Sequence, residues 1–303
     1  MRYRPTIALA ASIVFLTSGV GRTADEAEKS QPPPTSGKFV RLARDSRQKP
    51  TALEVAITRF VPKDPDRKGV YVDLVGAVHI GEKSYYAQLN REFKNYDVVL
   101  YELVAPEGTR IPKGGRKGGS SNPLSMIQKG MKDLLALEFQ LDQIDYTRAN
   151  LVHADMSPEQ FARSMKDRGE SVTAILMRML GYAIAKQGEG AGGLDEAQLL
   201  MALFDKDRAL ALKRIMAEQF QEMEGMTLAL EGPKGSTLIS ERNKAALAVL
   251  RKQIDAGKRR IAIFYGAGHM PDFQKRLEAD FQLTPTDTRW LVAWNLKARD
   301  AGK

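Results

Sequence analysis

The chain has 303 residues, 43% of them hydrophobic and 27% charged, with a formal net charge of +9 and no cysteine. That balance excludes wholesale disorder, and the length suffices to bury a core without covalent staples. The missing thiols exclude disulfides, thiolate catalysis, cysteine-ligated zinc, iron–sulfur clusters and a bacterial lipoprotein anchor, so any metal must be held by histidine, carboxylate or carbonyl oxygen.

Met1 to Pro5 is short and basic, and Thr6 to Val20 is almost wholly apolar or small. With small residues at Gly19-Val20-Gly21 and a second small site at Ala24, residues 1–24 read as a secretory signal peptide. The protein is therefore expected to be exported, periplasmic or secreted. An anchor retained over residues 6–20 is the rival, although that run is shorter than the roughly 20 residues a span needs. A chain starting at Asp25 would carry +6, because Arg2, Arg4 and Arg22 leave with the signal. The remaining positive charge, including Arg110, Lys113, Arg116 and Lys117, reads as a solvated surface. No aromatic residues interleave the basic run and no nucleic-acid-binding motif is visible, so no nucleic-acid partner is expected. Residues 25–50 are polar, contain Gln31-Pro32-Pro33-Pro34-Thr35, and read as a disordered leader.

From there the chain reads as one α/β domain over residues 51–297, with residues 298–303 as a tail. Leu53 to Val61 alternates as a strand does, a turn-rich stretch covers 63–69, and Val70 to Val75 is a second strand that pairs with the first as a hairpin. Glu82 to Asn95 has helical spacing, with Tyr85, Tyr86, Leu89 and Phe93 on one side. Asp97 to Leu103 is a short apolar strand. Strand, helix and strand in that order predict a parallel βαβ unit. Pro106 to Asn122 is a glycine-rich basic loop whose glycines lack phosphate-loop spacing. A helical insert is predicted over about 123–256, with helices at Pro123 to Ile144, Pro158 to Arg168, Val172 to Lys186, Asp195 to Glu224 and Ser236 to Ala256. Within it, Ile175-Leu176-Met177 with Met179-Leu180 reads as a buried helix face. The sheet then resumes with Arg260 to Tyr265, a helix runs from Asp272 to Phe281, and Arg289 to Leu296 closes the chain as a strand. The expected fold class is α/β, with a central, largely parallel sheet in two pseudo-repeated halves and flanking helices.

The chain has three histidines, His79, His153 and His269. Two share a setting: Gly76-Ala77-Val78-His79 follows one predicted strand, and Gly266-Ala267-Gly268-His269 follows another. In each, glycine lets the chain leave the strand sharply, and the histidine falls in a strand-to-helix loop at the carboxyl end, where open α/β sheets bind ligands. Glu102 ends the second strand of the βαβ unit and falls on the same edge. Two imidazoles and a carboxylate converging there suit a catalytic metal with an open position, and equally metal-free acid–base chemistry. With no thiolate available, manganese, cobalt or zinc is the expected divalent metal, held by His79, Glu102 and His269. His153-Ala154-Asp155-Met156-Ser157 precedes a predicted helix, so Asp155 or Ser157 is read as its cap, and His153 or Asp155 as an additional ligand or supporting group. Arg242 could bind a substrate carboxylate or an anionic intermediate. Neither G-x-S-x-G nor H-E-x-x-H occurs, which disfavours serine-hydrolase and zincin mechanisms.

Gly76-Ala77-Val78-His79, Tyr101-Glu102, Glu241-Arg242-Asn243 and Gly266-Ala267-Gly268-His269 resemble the motifs of the TraB/PrgY/GumN family, which includes the TIKI proteins and belongs to a wider erythromycin-esterase/ChaN-like superfamily. The resemblance covers about Leu53 to Leu296. It implies an α/β fold with paired sheet halves. It also implies metal-dependent proteolysis of the TIKI kind, with both G-x-x-H histidines and the glutamate required. Membrane association in other relatives adds a peripheral membrane setting. The chain differs from some relatives in lacking carboxy-terminal transmembrane helices.

The expectation is thus an exported metal-dependent hydrolase, best read as a peptidase acting on a peptide or protein substrate. The site residues would be His79, Glu102, His269 and Arg242. Glu102 is read either as a metal ligand or as the general base. The alternatives are a non-catalytic protein holding haem, a metal or a peptide on the same fold, and a metal-free esterase with histidine as base.

Overall fold

The computed structural model describes residues 38–114, 134–171, 196–220 and 234–298, together with 173–175, 177, 178, 181, 227 and 231. Thr35–Lys303 form one unit. The expected signal peptide, the proline-rich part of the leader, most of the glycine-rich loop and its following helix, and most of Val172 to Lys186 lie outside the described residues. Among the described residues no helix is long and apolar enough to cross a membrane.

The most apolar strand organises the sheet. Strand β8 (Arg260–Gly266) contributes Ile261, Ala262, Ile263, Phe264 and Tyr265, all fully buried. A continuous apolar run suits a central strand covered on both faces, whereas an alternating one would leave a face in water. β8 accordingly lies between β3 (Tyr71–Ala77) and β5 (Val98–Tyr101), parallel to both, and β5 pairs in parallel with β7 (Leu151–His153). The βαβ unit therefore holds a parallel pair of strands, but they are not neighbours: β8, from far along the chain, enters between them.

On the other side the sheet turns antiparallel. β2 (Pro50–Pro62) pairs along its length with β9 (Leu283–Asn295). Its opposite edge is shared: β1 (Val40–Arg44) pairs at residues 50–55, and β3 at residues 57–60. β2 alone runs against the other six strands, which makes a mixed sheet of mostly parallel strands flanked by helices. Where β1 gives way to β3, the backbones crowd. A Cβ on Gly76 would meet the Ala56 carbonyl oxygen at 3.3 Å and the Phe39 carbonyl oxygen at 3.8 Å.

The ordered domain thus begins earlier than the sequence reading placed it. Residues 40–44 were expected within a disordered leader, yet Phe39, Val40 and Leu42 are buried. Their alternation buries an apolar face while the backbone pairs with β2.

Helices cover both faces. On one, α1 (Lys83–Glu92) buries Tyr85, Tyr86 and Leu89, and Phe93 follows in the next turn. These residues pack with Val75, Val99 and Phe264, and with the far-sequence helix that supplies Leu210, Leu212 and Ala217. On the other face, Leu74, Leu100, Ile261 and Ile263 pack against Ala246, Leu247 and Leu250 and against Phe273 and Leu277. Odd and even strand positions serve opposite faces, as the two-residue pleat requires.

Two predicted helices are broken. The helix expected through Ile144 gives way at Ala136, whose φ is +51°, to a two-residue strand β6 (Glu138–Phe139) and a single turn α2 (Gln140–Gln143). β6 pairs with β4 (Ile80–Gly81), directly after His79. After α3 (Pro158–Asp167), the helix expected over 195–224 is divided into α4 (Glu196–Leu203) and α5 (Arg208–Phe220). Asp205 accepts from the Asp207 amide and Asp207 from the Leu210 amide, so short acidic side chains compete for backbone donors and start a new helix. Of the apolar run near 175–180, Ile175 is buried and Met177 is 64% exposed, so the predicted buried face does not extend to Met177. The remaining helices match expectation: α6 (Arg242–Asp255), entered through a wide turn at Thr237–Glu241, and α7 (Met270–Asp280).

Candidate functional site

Four parallel strands end at one edge, and each delivers a polar side chain there. β3 leads to His79, β5 to Glu102, β7 to His153 and Asp155, and β8 to His269. The loop after β3 is tied down from α1. Tyr85 donates to the Gly76 carbonyl at 3.1 Å and Tyr86 to the Val78 carbonyl at 3.0 Å. The loop after β8 is shorter: a single 3-10 turn, Ala267–His269, runs straight into α7.

The two Gly-Ala-x-His segments are therefore not equivalent. In the ladder Gly76 lies opposite Tyr265 and Ala77 opposite Gly266, an offset of one residue. β4 intervenes between His79 and α1, whereas His269 is itself the residue before α7. As a result His79 is exposed and His269 is 5% exposed.

His79, Glu102 and His269 nevertheless converge. A Cβ placed on Gly266 would stand 3.3 Å from Glu102 Oε2, 3.7 Å from His269 Cδ2 and 3.8 Å from His79 Nε2. Glycine at 266 keeps that space open. Glu102 Oε1 lies 3.7 Å from His269 Nε2. Its Oε2 accepts the Gly266 N–H at 2.6 Å.

Arg242, the first residue of α6, holds the carboxylates. Its Nη2 donates to Glu102 Oε1 at 2.7 Å and to Asp155 Oδ2 at 2.6 Å, and its Nε donates to Asp155 Oδ1 at 3.0 Å. The Asp155 side chain is fully buried and those of Arg242 and Glu102 are 11% exposed. Asp155 thus supports Arg242 in a two-point contact. The helix cap is Ser157, whose hydroxyl accepts the Gln160 amide while Gln160 reaches back to Ser157.

Burial opposes the charge on Glu102, but the positive surroundings of His269, Arg242 and His79, with the Gly266 N–H, hold its carboxyl at about 2. Burial also acts on His269 and pushes it down to about 4, against the attraction of Glu102. At neutral pH Glu102 is therefore an ionised carboxylate beside the Arg242 guanidinium and a neutral His269 imidazole.

Both site histidines are gripped at Nδ1 by a carboxamide oxygen. For His269 the partner is Asn243 Oδ1 at 2.6 Å, and for His79 it is Gln140 Oε1 at 3.3 Å. Each Nε2 is left to face the site. Gln140 reaches His79 because β6 pairs with β4, and its Nε2 donates to the Tyr146 hydroxyl at 3.0 Å. Sequence reasoning gave Gln140 and Tyr146 no part. A lone amide within the apolar run 134–141 is the only local signal for Gln140, and it does not say which histidine it serves. His153 is turned elsewhere: its Nε2 bonds the Leu103 carbonyl at 2.5 Å, and its ring lies against Tyr101.

No three His, Asp or Glu side chains among the described residues already form a metal group. The donor set fits a divalent ion in its chemistry. Donors sharing one ion at roughly 2.1 Å stand about 3.4 Å apart in a tetrahedron, near the His269–Glu102 separation. Each Glu102 oxygen has a lone pair beyond the one its hydrogen bond uses. The ionised Glu102 carboxylate attracts a cation, and a divalent ion is the expected one. His79 and His269, with Glu102, are the residues that could hold it.

Compared with protein-family models, with curated proteins and with solved structures, the chain matches none.

Proposed function

We propose that the protein is a metal-dependent hydrolase, best read as a peptidase, related to the TraB/PrgY/GumN family its motifs resemble. One observation carries this reading: two imidazoles, each held at Nδ1, and an ionised carboxylate surround the open space above Gly266. Export is part of the proposal, supported by the apolar segment Thr6 to Val20.

His79 Nε2, His269 Nε2 and Glu102 would hold a divalent ion such as manganese, cobalt or zinc. When bound, such an ion polarises a scissile carbonyl and makes its water more acidic. The chain's own residues do the rest. Glu102, with its carboxyl held at about 2, is a weak base and serves as ligand and hydrogen-bond acceptor. Arg242 fixes its orientation and offsets negative charge gathering at the site. His269 stays neutral and presents a lone pair. His79, the exposed member, is the imidazole an incoming substrate meets first.

A second reading has an observation of its own. Both Glu102 oxygens already accept hydrogen bonds, from Arg242 and Gly266, which suits a metal-free esterase with His79 as base.

The test is hydrolysis of a peptide library and an ester panel by purified protein, with chelator and with manganese, cobalt or zinc restored. Activity lost in chelator and recovered with metal supports the first reading; activity indifferent to chelator supports the second. A protein inactive on every substrate that binds haem or a peptide tightly overturns both in favour of a binding role.

A further inference from the structure

The amide of Asn243 has its orientation decided by its neighbours. Its Nδ2 lies 2.8 Å from Asp272 Oδ2 and 3.1 Å from the His269 backbone carbonyl oxygen. Both are acceptors, so the nitrogen must face them and Oδ1 must face the imidazole. Asp272 is held in turn by Arg276 Nε at 2.7 Å. Asn243 Oδ1 has no hydrogen to give, so the short contact to His269 Nδ1 at 2.6 Å requires a proton on Nδ1. The second nitrogen of a neutral imidazole is then a bare lone pair.

His153 provides the opposite case in the same molecule. Its Nε2 faces the Leu103 carbonyl oxygen, which can only accept, so the proton must be on Nε2. The two rings thus carry their protons on different nitrogens.

We infer that Asn243 is a positioning residue: oriented by Asp272, it fixes His269 as the Nδ1–H tautomer and keeps Nε2 an unprotonated donor facing Glu102. This deepens the proposed function, because only a bare Nε2 can ligate a metal or accept a proton from water. It also removes His153 Nε2 from the set of available donors.

The test is a long-range proton–nitrogen correlation spectrum of the full chain carrying ¹⁵N-histidine, taken at neutral pH without metal. Three histidines make assignment by single His→Gln substitutions direct. Expected is a protonated Nδ1 and bare Nε2 for His269, with the reverse pattern for His153. Asn243→Ala should lose the His269 pattern and weaken binding of Zn²⁺ alone by about 10- to 100-fold, the scale of losing a partner behind a metal ligand. A wild-type His269 carrying its proton on Nε2 overturns the inference, as does an Asn243→Ala spectrum that keeps the Nδ1–H pattern. Because the readout needs no substrate, absence of hydrolysis would count against the proposed function and leave this inference standing.

Discussion

Arg242 Nη2 lies 2.7 Å from Glu102 Oε1, a contact made across 140 positions of sequence. It joins the end of a central strand to the first turn of α6, and through Asp155 it also takes in the strand-end segment after β7. One guanidinium therefore ties three elements together at the edge where the site lies. A fork of N–H donors can do this; a single ammonium cannot serve two carboxylates in the same way.

Removing that fork should unfold the protein more readily. Arg242→Ala leaves two buried carboxylates without their cation, and the expected loss is about 3–5 kcal/mol. Arg242→Lys should fall between alanine and wild type, since it keeps the charge and loses the two-point contact with Asp155. Urea unfolding followed by circular dichroism measures both. An Arg242→Ala midpoint equal to wild type would show that the buried group contributes nothing to the fold.

The two motif glycines should respond differently to alanine. At Gly266 the backbone has φ −48° and ψ 137°, which an L-residue adopts without strain. The new methyl would enter the space between Glu102, His269 and His79. Gly266→Ala is therefore expected to stay folded and to lose at least tenfold in hydrolysis or metal binding. At Gly76 the methyl meets backbone oxygens, which cannot swing aside as a side-chain end can. Gly76→Ala should cost about 1–3 kcal/mol, as overpacking does. Thermal melts beside activity assays separate the cases; equal melting losses in both variants would refute the distinction.

Much of this arrangement could be read from the residues, and what could not has identifiable reasons. The strand ends carrying His79, Glu102 and His269 were legible because short apolar runs closing on Gly-Ala-x-His or Tyr-Glu are local patterns. The neighbour relations were not. The apolar run of β8 marks a central strand, but local periodicity does not say that it lies between β3 and β5. β1 was hidden in a polar, proline-containing stretch whose apolar alternation spans only Phe39 to Leu42. Asp155 or Ser157 was read as the helix cap and Asp155 also as a supporting group; Ser157 is the cap and Asp155 holds Arg242, a partner 87 residues away that no local pattern names. The break at Ala136 and the arrival of Gln140 beside His79 depend on a pairing between β4 and β6 that spans about 60 residues.

Acid should weaken the fold in two stages. His269 has its pKa depressed from 6.5 in the unfolded chain to about 4, so the unfolded state binds the extra proton first. Its contribution is complete above pH 6.5 and is lost as pH falls from there through 4. Glu102, depressed from 4.5 to about 2, contributes fully above pH 4.5 and loses its share between 4.5 and 2. Urea midpoints across pH 3 to 8 should fall on the acid side. His269→Gln, which cannot titrate, should flatten the portion between 6.5 and 4 and also shrink the lower one, because His269 is among the charges that hold the Glu102 carboxyl down. An unaltered slope in that variant would place the titrating group elsewhere.

The proposed chemistry is tested most directly on its three central side chains. His79→Ala, His269→Ala and Glu102→Gln are each expected to lower turnover by about two orders of magnitude or more, the scale on which positioned acid–base groups contribute. The reasons differ. His79→Ala removes an exposed ring and should leave the melting temperature nearly unchanged. His269→Ala empties a buried position beside Tyr265 and Phe273, so its stability cost must be measured and activity compared on folded protein. Glu102→Gln keeps the shape of the side chain, but it removes the charge facing Arg242 and places an amide nitrogen where one oxygen accepted a hydrogen bond. His153→Ala serves as the comparison, because its Nε2 is already spent on the Leu103 carbonyl and its loss should cost far less. Steady-state rates, with chelator and with restored metal, supply the readout. Unchanged rates in both His79→Ala and His269→Ala, together with full activity in chelator, would end the metallohydrolase reading. Loss in His79→Ala with full activity in chelator would instead move the assignment to an esterase with His79 as base.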